Sequence, residues 1–137
     1  MNNNTGKLHH VEIYVSDLKK SSEFWGWFLG KLGYEVYSMW DSGISYVLGE
    51  TYIVFVQTEK KYLDEPYHRC RTGLNHLAFH AESKMHVNEI TNELRSKGIT
   101  ILYEDKHPYA GGEDYYAVFL KILTELKLSL LPRKNNQ

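Results

Sequence analysis

Leu8-His9-His10-Val11-Glu12-Ile13 and Leu74-Asn75-His76-Leu77-Ala78-Phe79 decide how this sequence is read. Both are short apolar runs of the kind that form strands, and each has a histidine at its third position. The residues after each run are also alike. Ser16 or Asp17 can cap a helix after the first run, and Ser83 a helix after the second. Leu18, Phe24, Phe28 and Leu32 keep roughly helical spacing, and so do Met85, Val87, Ile90 and Leu94. Gly33 and Gly98 then stand where a helix ends on a left-handed residue. Gly33 lies 23 positions after His10, and Gly98 lies 22 positions after His76. Agreement in run, cap, helix length and stop marks an internal repeat, and the repeat fixes the architecture.

Three strand-like runs come after each helix. The first half offers Tyr34–Met39, Ile44–Leu48 and Thr51–Gln57, with Asp41-Ser42-Gly43 and Gly49-Glu50 as turns. The second offers Thr100–Glu104, Tyr115–Lys121 and Glu125–Leu131. The stretch from Thr58 to Gly73 is polar and joins the halves. The predicted fold class is therefore α+β: two βαβββ modules forming an open, curved, barrel-like sheet with helices outside. Residues 1–137 read as one domain, with module one at 8–58, a linker at 59–73 and module two at 74–131. Residues 1–7 and Arg133 to Gln137 read as loose tails.

A chain of 137 residues can bury a proper core without staples. Seventeen acidic against sixteen basic residues leave a net charge of −1, too little field to gather nucleic acid or anionic lipid. No apolar run approaches the ~20 residues of a membrane span, and the polar start lacks the apolar core of a signal peptide. A cytoplasmic protein is the expectation. The single cysteine, Cys70, excludes an intrachain disulfide and reads as a loop residue without a role. Eleven tyrosines lift the aromatic content to 14%, which suits a small-molecule pocket as well as a core.

Alternation along the strands puts His10 and His76 on the pocket side of their sheets, with Glu12 on the face of His10 and His9 on the other. The longer connection Asp105 to Asp114 carries His107-Pro108-Tyr109-Ala110-Gly111-Gly112. It reads either as a lid with His107 at its edge or as a long surface hairpin. Tyr115 and Tyr116 alternate in facing, so one of them lines the pocket. Trp25 and Trp27 flank the first helical stripe and offer either a homodimer contact or core burial, the commoner use.

These residues resemble the vicinal oxygen chelate superfamily, which includes glyoxalase I, fosfomycin-resistance enzymes, bleomycin-resistance proteins and extradiol dioxygenases. The resemblance rests on His10-Val11-Glu12-Ile13-Tyr14-Val15-Ser16-Asp17-Leu18, on Gly73-Leu74-Asn75-His76-Leu77-Ala78-Phe79, and on Gly111-Gly112 with Tyr115-Tyr116-Ala117-Val118-Phe119 after it. It covers roughly residues 8 to 131. It implies one divalent ion (Zn²⁺, Ni²⁺, Mn²⁺ or Fe²⁺) held by first-strand and last-strand residues of each half, with His10 and His76 at the first-strand positions.

The last strands depart from that pattern. Family metal enzymes carry a closing run like Asp-Pro-x-Gly-x-Lys-x-Glu, whereas this chain reads Ile122-Leu123-Thr124-Glu125-Leu126-Lys127-Leu128-Ser129. Lys127 keeps its register and Ser129 stands in place of the glutamate. Overlaying the halves puts Phe55 at the other closing position, with Gln57 two residues on and on the same face. A hydroxyl is a far poorer ligand than a carboxylate for these ions. A standard glyoxalase I is therefore not expected. Three readings remain: a lyase, isomerase or transferase with a degenerate metal site, in which Glu12 acts as ligand or base; a metal-free protein of the bleomycin-resistance kind that sequesters a small molecule; and a degenerate member kept for another interaction. In the first two, Gln57, Ser129, Phe55, His107, Tyr115 and Tyr116 are the candidate ligand contacts.

Overall fold

The computed structural model describes residues 5–122 and 126–133. The chain divides into two compact units, Met1–Pro66 and Tyr67–Gln137. Each is built as the repeat predicts, and the two-module α+β fold is borne out.

The first unit runs β1 (His10–Val15), α1 (Leu18–Lys31), β2 (Glu35–Trp40), β3 (Gly43–Leu48) and β4 (Thr51–Gln57). The second runs β5 (His76–Ala81), α2 (Lys84–Ser96), β6 (Thr100–Leu102), β7 (Val118–Lys121) and β8 (Lys127–Pro132). Their four-stranded sheets have matching orders, β1-β4-β3-β2 and β5-β8-β7-β6. The β1–β4 and β5–β8 pairs are parallel, because a crossover must carry the chain from one to the other; the remaining pairs are antiparallel.

Helix ends repeat as well. The Asp17 side chain accepts from the Lys20 N–H, and the Ser83 hydroxyl accepts from the His86 N–H, so each caps its helix. At the other ends, Tyr34 N–H donates to the Leu29 carbonyl and Ile99 N–H to the Leu94 carbonyl. These are Schellman closures, and Gly33 (φ +96) and Gly98 (φ +74) supply the left-handed residue they require.

The buried helical stripes differ from the predicted ones by a small rotation. On α1 the buried residues are Ser21, Trp25, Phe28 and Leu29, and on α2 they are Val87, Ile90, Thr91 and Leu94. Trp25 belongs to the core, and Met85 is exposed. The Thr91 hydroxyl is buried but donates to the Val87 carbonyl at 2.7 Å, so it leaves no unmet polar group. Trp25 packs on Phe55 beneath the first sheet, Phe28 and Leu29 are buried on the same helix, and Leu120, Leu128 and Leu130 lie under the second sheet, all at 0% exposure. Each such side chain contributes about 1.5–3 kcal/mol of burial.

Among the strands after the helices, three boundaries move by two residues or more. The predicted strand Thr100–Glu104 ends at Leu102, because Tyr103 turns into the left-handed region (φ +55). The strand expected from Tyr115 begins only at Val118. The strand expected from Glu125 begins at Lys127, Glu125 itself lying outside the described residues. Arg133 is tied down, its N–H donating to the Ala81 carbonyl. In the first sheet, pairing of β2 with β3 slips between Val36 and Ser38, so Tyr37 bulges from an edge strand. All of β2 is exposed.

Candidate functional site

Burial alternates along β1. His10, Glu12 and Tyr14 are exposed, while Val11, Ile13 and Val15 are covered on the α1 side. Tyr52 is the β4 partner of His10, and their rings stack at 4.7 Å with 8° between planes. Tyr37 stacks in turn on Tyr52. His9, which alternation alone places on the opposite face, joins this group. It precedes the strand, so strict alternation does not bind it; its Nδ1 lies 2.9 Å from that of His10, and its ring meets Tyr52 edge-on.

Register corrects the overlay of the two halves. His10 pairs with Tyr52 and Glu12 with Val54, whereas His76 pairs with Lys127 and Ala78 with Ser129. The counterpart of Ser129 is therefore Val54 and not Phe55. A one-residue slip changes the face. Phe55 is paired with Ile13 and points to α1, where its ring lies 4.6 Å from that of Trp25. Gln57 shares that side and is a brace. Its Oε1 accepts from the Leu18 N–H at 2.9 Å and its Nε2 donates to the Ser16 carbonyl at 2.9 Å, pinning the turn into α1. Neither Phe55 nor Gln57 stands on the face of His10.

In the second unit, the face of β5 away from α2 carries His76, Ala78 and His80. Lys127 lies beside His76, and Ser129 lies between Ala78 and Phe119. Phe119 is the centre of an aromatic group. Tyr115 stacks on it at 6.2 Å, Tyr103 meets it at 5.6 Å and His76 at 6.3 Å. The Lys127 Nζ sits 5.1 Å over the Phe119 ring and donates to the Tyr103 hydroxyl at 3.1 Å. Ser129 is 0% exposed, and its Oγ has no hydrogen-bond partner among the described residues. Sequence reasoning misses Lys127, Phe119 and Tyr103 as site residues. A signal for Lys127 is present: it lies two residues before Ser129, hence on the same face.

His76 Nδ1 donates to the Asn75 side-chain oxygen at 2.8 Å, and Nε2 has no hydrogen-bond partner among the described residues. Burial, reinforced by the Lys127 charge, holds the imidazole below the usual histidine range.

Of the two adjacent tyrosines, Tyr115 lies on the Phe119 face, with Gly111 close beneath its ring. Tyr116 turns to α2, donating its hydroxyl to Asn88 and lying under the Lys84 ammonium. His107 also faces the helix end. It lies beside the Arg95–Glu104 ion pair, and burial, aided by Arg95 and opposed by Glu104, lowers its pKa. The 103–117 segment is a chain of hydrogen-bonded turns closed by Ala117 N–H on the Pro108 carbonyl.

By themselves, the groups around His76 do not make up the divalent-ion site implied by the first-strand histidines. Among the described residues, no three His, Cys, Asp or Glu side chains gather as a ligand set. On the face of His76 the adjoining strands bring a cation, a phenyl ring and a hydroxyl, and its own strand adds the His80 imidazole but no carboxylate or thiolate, the donors such an ion favours.

Residues 9–119 match the model of the glyoxalase/bleomycin resistance protein/dioxygenase superfamily, and the chain belongs to it. A Bacillus subtilis relative, the uncharacterised protein YqjT, is 52% identical over 124 residues, spanning 90% of this chain and 97% of its own. A Bacillus halodurans protein described as a candidate glyoxalase is also 52% identical. Its crystal structure superposes with a TM-score of 0.92 over 94% of this chain and 97% of that one. The fold is shared more distantly with the fosfomycin resistance protein FosX of Listeria monocytogenes (19% identity, TM-score 0.69, 94% of each chain), which has also been crystallised with Mn(II) and sulfate. Among the described residues, no helix is long and apolar enough to cross a membrane.

Proposed function

We propose that this chain is a metal-free small-molecule-binding member of its superfamily, whose ligand rests on the second-sheet face against Phe119, Tyr103 and Tyr115. The observation that carries this reading is the ring group around Phe119, an apolar platform bordered by a few convergent polar groups, as ligand sites commonly are. His76 Nε2 and the Ser129 hydroxyl supply hydrogen bonding there, and His107 and Tyr116 serve the α2 side instead. His10, stacked on Tyr52, forms a smaller aromatic group in the first unit.

The second reading is a metal-dependent lyase, isomerase or transferase using His10, His76 and Glu12. It is favoured by the Nε2 of His76, which has no hydrogen-bond partner among the described residues, and by Glu12 sharing the face of His10. Metal analysis of the purified protein, before and after soaking in Zn²⁺, Ni²⁺ and Mn²⁺, separates the two. The expected result is no stoichiometric metal. One equivalent of metal, lost in His10→Ala and His76→Ala, would overturn the metal-free reading.

A further inference from the structure

We infer that the second-sheet face is built for an organic oxyanion, a carboxylate carried on a flat apolar body, with Lys127, Tyr103 and Ser129 as its anion-binding groups. This rests on the small-molecule-binding function and names its ligand class.

Three observations converge. The Lys127 ammonium is held over a ring face and beside a phenol, and among the described residues no carboxylate pairs with it. An ammonium against rings keeps its charge available to an incoming anion. Tyr103 is the one non-glycine with positive φ among the described residues. Such a backbone is costly for a tyrosine and persists where the surroundings impose it. Here it brings the hydroxyl to Lys127; because the oxygen accepts from Nζ, the phenolic hydrogen remains free to donate outward. Ser129 adds a buried hydroxyl with no partner among the described residues, next to Phe119 on the same face. An orphaned hydroxyl at 0% exposure is unusual enough to require a reason, and a ligand acceptor supplies one.

The three groups are donors. A cationic ligand would meet Lys127 unfavourably, and a neutral one would leave the ammonium unmatched. The rings of Phe119, Tyr103 and Tyr115 ask for a flat apolar body behind the charged group.

Benzoate and benzamide are the probes, since they share a ring and differ in charge. Binding is followed by calorimetry and by amide chemical shifts of the intact chain. The expected result is that benzoate binds about tenfold or more tightly than benzamide, with shifts at Lys127, Phe119 and Tyr103, and weakens as salt is raised. Lys127→Met, which keeps the apolar stem, and Tyr103→Phe, which keeps the ring, should each reduce that preference while the thermal transition stays cooperative. Equal binding of both probes at this face would overturn the anion assignment and leave the small-molecule reading standing. A preference that survives Lys127→Met would overturn the role of Lys127. No shift with either probe at millimolar concentration would overturn the assignment together with the reading beneath it.

Discussion

The rings of Trp25 and Phe55 lie 4.6 Å apart, tilted by 31°, and both side chains are fully buried between α1 and the first sheet. Phe55 thus fastens the helix to the strand that runs beside β1. Phe55→Ala is expected to destabilise the fold by about 3–5 kcal/mol, read from denaturant titration. A loss below about 1 kcal/mol would mean that the ring is not part of this core.

Gln57 acts through three backbone groups, the Leu18 N–H and the Ser16 and Thr58 carbonyls. With alanine in its place, the Leu18 N–H and the Ser16 carbonyl lose their partners at the entrance to α1. The expected cost is about 1–2 kcal/mol, given partial access to water. Gln57→Glu should restore only the contact from Leu18, because a carboxylate cannot donate to Ser16. Hydrogen exchange at the first turn of α1 would show both effects.

Ser129 behaves in the opposite way. Its buried hydroxyl has no partner among the described residues, so Ser129→Ala should leave stability unchanged or raise it by about 1 kcal/mol. A clear loss in thermal or chemical denaturation would reveal an internal partner for the hydroxyl and remove one support of the anion assignment.

His107 predicts a pH effect. Its folded pKa lies below the unfolded value of 6.5, so the folded state favours the neutral ring. Its contribution to stability is complete above that value and falls as pH drops below it, because the unfolded chain then takes up the proton first. His107→Gln should flatten the decline in melting temperature between about pH 7 and pH 5. An unchanged slope would assign that decline to other groups.

The repeat is legible because each half writes strand, cap, helix and glycine in the same order. Caps at Asp17 and Ser83 and stops at Gly33 and Gly98 are local chemistry, so sequence suffices for them. Register is not local. The hairpin from β3 to β4 turns at Gly49-Glu50, whereas β7 ends at Lys121 and β8 begins only at Lys127, so counting residues across the halves lands on Phe55 when the ladder pairs Glu12 with Val54. That single step also misplaces Gln57. The rotation of the α1 stripe onto Trp25 has the same origin, since tertiary packing selects among several helical faces of similar hydrophobicity. Sequence shows that Lys127 matches a pattern and says nothing of where its flexible stem goes. Only the geometry shows its ammonium leaning over Phe119.

The bulge at Tyr37 bears on solubility. Strand β2 presents Val36, Tyr37, Met39 and Trp40 along an outer edge, a sequence that could recruit a further strand and seed fibrous stacking. The extra residue breaks the ladder midway and twists the edge, so a neighbouring chain would find no long, straight row of amides to copy. The irregularity in this strand works as a guard against runaway polymerisation.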